Sequence, residues 1–329
     1  MRRFLAAANE RFKWIALVGT VVGIAIALWS QREAVVAFDW SVSWSALALS
    51  VALFALAPVA QGISFWLILR FLGLPSRLDE ALLIWMRSFL LRYAPSGALA
   101  VVIRVRERER LGATKAHVLT ATAYEQLAAL VSGAIATVVA FGLAPGAVPK
   151  LAAASCAVAV AVAVALRPRF LGTRLQALAA RRGIEIPALL RGRTLAAVIA
   201  LNTASWAATG AAVWVLVAAL SSEGTRMPNA FWLLGAYAFA WLLGFVVPLL
   251  PGGLGLREGT LAAFLASSFG AGVATALALA LRLVNTLGEL LAIGAVELGY
   301  RVRARLRPRA PEVRAEVRRG AGPLDAPRP

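Results

Sequence analysis

Two short stretches concentrate the residues that could do chemistry in this chain. Gly244 to Thr260 reads GFVVPLLPGGLGLREGT, placing Arg257 and Glu258 behind the turn Pro251-Gly252-Gly253 and the nearby Gly255. Phe89 to Arg104 reads FLLRYAPSGALAVVIR, with Arg92, Tyr93, Pro95 and Gly97 in a similar layout and Arg87 five residues before Arg92. A guanidinium stays charged when desolvated and can grip two phosphate oxygens at once. Glycines let a headgroup approach the backbone, and a helix starting just after Gly253 or Gly255 would point free N–H groups and its positive end at an anion. These residues are therefore candidates for holding a lipid headgroup. A plain interfacial turn followed by a snorkelling arginine fits the same residue types, and the stretch alone leaves both readings open.

A second group of ionisable residues sits inside apolar runs: Glu125, Arg282, Asn285 and Glu289. Charges at membrane depth cost about 3 kcal/mol each and need partners or a wet cavity. Arg282 and Glu289 are seven apart, which puts them on one helix face with Asn285. Glu125 and Arg282 are expected to meet near the centre as an ion pair. Nothing resembles a catalytic set: there is one histidine, His117, and one cysteine, Cys156, with no metal-ligand spacing and no phosphate-cradling lysine loop. Glu258 or Glu125 could serve as a base, but neither has a second catalytic group beside it in sequence. The expectation is no enzyme activity, no cofactor and no metal. Cys156 reads as a buried inert thiol and His117 as an interfacial residue at a helix start.

The elements that must position these groups follow from composition. The chain is 60% hydrophobic with ten tryptophans, and its mean hydropathy of +0.77 places it in the bilayer as a polytopic helical protein. A net charge of +18 could suggest nucleic acid, but the arginines cluster between apolar spans. That pattern excludes an ordinary nucleic-acid module and points to anionic headgroups as partners. Residues 1–13 are a basic cytoplasmic lead, followed by an uncleaved first helix over 14–29. A second helix covers Trp44 to Leu69, with Pro58 to Gly62 interrupting its centre, a break that reads as a kink or as a way to widen a cavity. A broken hairpin runs from Leu78 to the 104–110 arginine cluster, and a helix from Val118 to Gly142 follows. Residues 151–166 return, and the arginine-rich loop 167–193 lies inside. Thr194 to Leu220 goes out, a second broken hairpin occupies Ala230 to about Gly270, and Ala271 to Leu298 comes back. Residues 301–329 are expected to be a disordered basic tail.

Both broken stretches are followed at matching distance by a charge in an apolar helix: Glu125 comes 30 residues after Pro95, and Arg282 comes 31 after Pro251. The chain thus reads as a diverged duplication, with repeat one over about 44–166 and repeat two over about 194–298, inside one membrane domain spanning 14–300. Loop charge parity puts both termini in the cytoplasm and makes the two hairpins enter from opposite faces. The expected architecture is all-α, with about six full spans and two inverted, re-entrant Pro/Gly-broken hairpins.

The run from Arg87 to Gly97 (Arg-x-x-x-x-Arg-Tyr-x-Pro-x-Gly), the Glu125 helix, the run from Pro251 to Glu258 (Pro-Gly-Gly-x-Gly-x-Arg-Glu) and Arg282 together resemble the lysylphosphatidylglycerol synthase transmembrane, or flippase-like, family, over roughly residues 10–300. Ser96 stands where a glycine is common in that family, and Gln126 where arginine often follows the glutamate. The resemblance implies a bacterial cytoplasmic-membrane protein that moves or handles anionic, aminoacylated, polyprenyl-linked or hopanoid lipids. A non-transporting scaffold that presents lipid to a partner synthase is the alternative. Because only a short basic tail follows the membrane domain, lysyl transfer by this chain is not expected.

Overall fold

The computed structural model describes residues 29–30, 32–93, 98–144, 192–222, 224–246, 253 and 255–306. All but the last residue of the expected first helix at 14–29, the return span at 151–166, nearly all of the 167–193 loop and the tail beyond 306 lie outside these residues. The described part is helical: α1 (Arg32–Ala37), α2 (Trp44–Phe71), α3 (Leu78–Phe89), α4 (Ala98–Arg106), α5 (Lys115–Leu143), α6 (Gly192–Ala219), α7 (Ala230–Val246), α8 (Leu256–Phe269) and α9 (Ala271–Leu306). Four of them, α2, α5, α6 and α9, are long and apolar enough to cross a membrane. At 1.5 Å per residue the shortest of the four, at 28 residues, is about 42 Å long, against a hydrocarbon core of about 30 Å.

Local sequence sets the helix ends. Thr114 caps α5 by accepting from the His117 amide, while His117 Nδ1 lies 2.8 Å from the Thr114 hydroxyl. His117 is thus a capping residue at the helix start. Asn229 caps α7, its side-chain oxygen accepting from the amides of Phe231 and Trp232. Two expected boundaries differ. α2 runs unbroken through Pro58, because tight packing on either side, with Phe54 1% and Phe65 0% exposed, outweighs the one hydrogen bond that proline removes. α9 continues to Leu306, well past Leu298, because arginines in its last turns suit the negative end of the helix dipole.

The order span, broken hairpin, span occurs twice: α2, α3–α4, α5 and then α6, α7–α8, α9. The two halves meet along α2 and α6, which run antiparallel. At one end the Ser43 amide donates to the Ala219 carbonyl, in the middle Ser50 donates to Ala212 O, and towards the other end Asn202 donates to Ser64. Packing around that seam is reciprocal. α9 lies on α2 as α5 lies on α6, and the first arm of each hairpin packs on the last helix of the other half: α3 on α9 and α7 on α5. Each half therefore holds the other's hairpin.

One end of the bundle carries Trp40 paired with Ser221 and Phe38 against Phe269; the opposite end carries Arg87, Arg110 and the Glu297–Arg301 turn of α9. The first hairpin starts and finishes at the second of these ends, and α7–α8 starts and finishes at the first.

Candidate functional site

The tip of the second hairpin is built by glycines. Gly253 has φ +69° and sits so close to Gly244 that a Cβ on it would lie 2.8 Å from the Gly244 Cα and carbonyl oxygen. Only glycine permits both that conformation and that approach. Gly255, at φ +83°, opens α8, and the Glu258 carboxylate reaches back to accept from its amide at 2.7 Å. The other Glu258 oxygen accepts no hydrogen bond and lies 3.5 Å from Arg282 Nε on α9. Glu258 thus fixes the tip both to its own helix start and to the neighbouring span.

Arg257, held by this frame, is 7% exposed. Its guanidinium donates to the Tyr237 hydroxyl and lies 4.7 Å from the centre of that ring. No described carboxylate lies within ion-pair distance of it, although Glu289 lines the same cleft and Glu258 the adjoining pocket. Such a buried cation is costly unless an anion joins it.

It faces a cleft. About 520 Å³ of unfilled space, its mouth included, lies between α2, α5, α6, α7 and α9, and Arg257, Glu289, Asn285, Tyr237, Asn202 and Gln61 are among the residues lining it. Glu289 accepts from Asn285 Nδ2 at 2.7 Å. Ala57 and Pro58 line the same cleft, so the region expected to interrupt α2 widens a cavity without breaking the helix. Phe89, at the end of α3, lines it as well.

The first hairpin carries a different arrangement. Glu125 does not meet Arg282, which corrects the expected central pair. Its oxygens take Arg104 NH1 at 2.6 Å and Trp85 Nε1 at 2.7 Å. Arg104 also donates to Ser88 at 2.7 Å and to Thr122 at 3.3 Å, with its guanidinium over Phe65. Glu125 is neutralised within its own half because the returning arm of the hairpin lies nearer to it than Arg282 across the seam. Arg104, Trp85 and Ser88 were missed as site residues. The signal was the arginine closing the FLLRYAPSGALAVVIR run at the place where α4 must face α5.

Arg87 is likewise outside the cleft. It makes a two-pronged pair with Glu297 at 2.9 and 3.1 Å, and its side chain is 46% exposed. It cannot hold a headgroup at depth while so engaged. Of the other expected residues, the structure brings Gly253, Gly255, Arg257, Glu258 and Arg282 together, with Asn285 and Glu289 along the cleft. The side chains of Arg92 and Tyr93, and all of Pro95, Gly97, Pro251 and Gly252, lie outside the described residues.

No curated protein matches the chain. Residues 16–293 match the family described as the lysylphosphatidylglycerol synthase TM region, covering both hairpins, the cleft and all but the end of the last helix. The chain is a multi-pass membrane protein that belongs to this family.

Proposed function

We propose that this protein moves a phosphate-bearing lipid headgroup through the cleft between its two hairpins, without bond-making chemistry of its own. The observation that carries this reading is Arg257: a buried guanidinium, with no carboxylate partner among the described residues, aimed into a polar cleft at the tip of a broken helix. A headgroup phosphate does not cross hydrocarbon unaided at useful rates. A protein path must replace its water with fixed donors while the acyl chains stay in lipid, and Arg257 is such a donor. The match to a lipid-associated membrane family supports the same substrate class.

In this reading the hairpins are re-entrant and the arginine-rich end of the bundle faces the cytoplasm of a bacterial inner membrane. Exchange runs as the two halves rock about the α2–α6 seam. The driving force is a gradient, a partner protein or the lipid's own concentration.

The test is leaflet exchange of labelled phospholipid in liposomes containing wild type or Arg257→Lys at matched protein levels. Lysine keeps the charge and loses the planar fork, so exchange falls at least about tenfold while thermal stability stays near wild type. Equal rates, or no protein-dependent exchange of any phosphate lipid, would instead support a scaffold that presents lipid to a synthase.

A further inference from the structure

Behind Arg257 lies a second, smaller space of about 180 Å³ between α7, α8 and α9, lined by Tyr237, Arg257, Glu258 and Arg282 together with apolar side chains. Tyr237 and Arg257 also line the cleft, so the two spaces adjoin. Glu258 is 5% exposed and sits on this inner space. One of its oxygens accepts from the Gly255 amide at 2.7 Å, while the other, Oε1, accepts no hydrogen bond and stands 3.5 Å from Arg282 Nε. An ionised carboxylate offers about four lone-pair sites, and a buried one is stable in proportion to the donors and cations that meet them. This one has a single neutral N–H and the guanidinium groups around it.

Those guanidinium groups are where the cleft enters. Among the described residues, the charged or titratable side chains sharing the space with Glu258 are Arg257 from its own helix, Tyr237 from α7 and Arg282 from α9. With the cleft empty, two cations against one carboxylate leave an excess of positive charge that favours the ionised acid. A phosphate bound at Arg257 cancels that excess and brings a negative charge close to Glu258, in a buried setting where salt screens it little. Adding a proton to Oε1 then removes the less supported of two neighbouring negative charges and leaves the Gly255 bond on the other oxygen intact. We infer that Glu258 takes up a proton as an anion enters the cleft and returns it as the anion leaves, so that the protein carries a proton with each headgroup. The O–H bond of the acid is the one bond formed and broken, and the proton comes from and returns to water at the cleft mouth. Linkage is reciprocal: if the anion tightens the hold on the proton, the proton tightens the hold on the anion by the same factor. The proton site rests on the phosphate site at Arg257 and names what drives exchange there, a proton gradient.

The test is calorimetric titration of the full-length protein in detergent with short-chain phosphatidylglycerol, whose phosphodiester stays ionised across the range used. Wild type is expected to bind about fivefold or more tighter at about pH 5 than at about pH 7.5, with a binding heat that changes with the ionisation heat of the buffer because protons are taken up. Glu258→Gln carries the neutral form permanently and keeps an oxygen for the Gly255 amide. It is expected to bind at about pH 7.5 as tightly as wild type does at about pH 5, with neither pH slope nor buffer dependence, and its melting temperature reports whether the fold is kept. Whatever Glu289→Gln does to affinity, it is expected to retain both signals. Lipid binding in wild type without pH slope or buffer dependence would overturn the proton site and leave the phosphate site standing. A slope that survives in Glu258→Gln, or that disappears in Glu289→Gln, would overturn the assignment to Glu258. Unchanged affinity in Arg257→Ala at both pH values, or no binding to wild type at either, would overturn the phosphate site and the proton site with it.

Discussion

At the scale of single residues, the two halves have put the same ingredients to different uses. Arg104 and Glu125 satisfy each other almost completely, whereas Arg257 is left open beside a Glu258 that turns to Arg282. Removing one member of the buried pair leaves the other uncompensated. Arg104→Ala should therefore destabilise the protein by about 3–5 kcal/mol, read as a drop in melting temperature in detergent. A double-mutant cycle between Arg104 and Glu125 should show coupling above about 1 kcal/mol, and one between Glu125 and Arg282 should be additive. These residues also show what the sequence could and could not say. Proline, glycine and arginine in one short apolar run mark a broken tip whatever its surroundings, so Gly253, Gly255 and Arg257 were legible. Partner choice was not, because Glu125 has three or more arginines at plausible sequence distance and only the return path of α4 decides among them.

At the scale of elements, helix existence followed from apolar run length, and the places where the reading failed were places where packing overrode a local signal. Pro58 looked like an interruption but lies in a helix clamped by Phe54 and Phe65. Glycines separate into two kinds in the same way. Gly253 is required by its backbone angle and by its contact with Gly244, so Gly253→Ala should cost a few kcal/mol. Gly294, midway along α9, has nothing near a prospective Cβ. Gly294→Ala should leave the melting temperature unchanged or raise it by a few degrees, since alanine is the better helix former. Thermal melts of the two variants side by side check both statements.

At the scale of the whole molecule, the bundle is fastened differently at its two ends. One end is closed by the Ser43–Ala219 backbone bond, the Ser41 hydroxyl on Ser221 O and the Phe38–Phe269 contact. The other is closed by the Arg87–Glu297–Arg301 cluster and the Arg110–Tyr300 bond, all on partly exposed side chains. Exposed ion pairs hold by no more than about 1 kcal/mol and are screened by salt. Hydrogen exchange at the α9 end near Glu297 should accelerate in high salt or in Glu297→Gln, while the Ser43 amide stays protected. The two ends should also lie on opposite sides of the membrane. In a Cys156→Ser background, single cysteines at Ser222 and Glu109 should be labelled by an impermeant reagent from opposite faces, and labelling of both from one face would overturn the inverted arrangement.

The reciprocal holding of hairpins has a consequence for biosynthesis. α8, at 14 residues, is only about 21 Å long and is too short to cross a bilayer as an independent unit. α7 is received by surfaces made before it, α5 and Phe54 of α2 against Tyr237, whereas α8 packs on α9, which follows it. The ribosome therefore delivers the support of α7 before α7 itself, but the support of α3, which lies on α9, only at the end. The first hairpin therefore has to be held by lipid, or by the insertion machinery, from the time it is made until the last helix arrives.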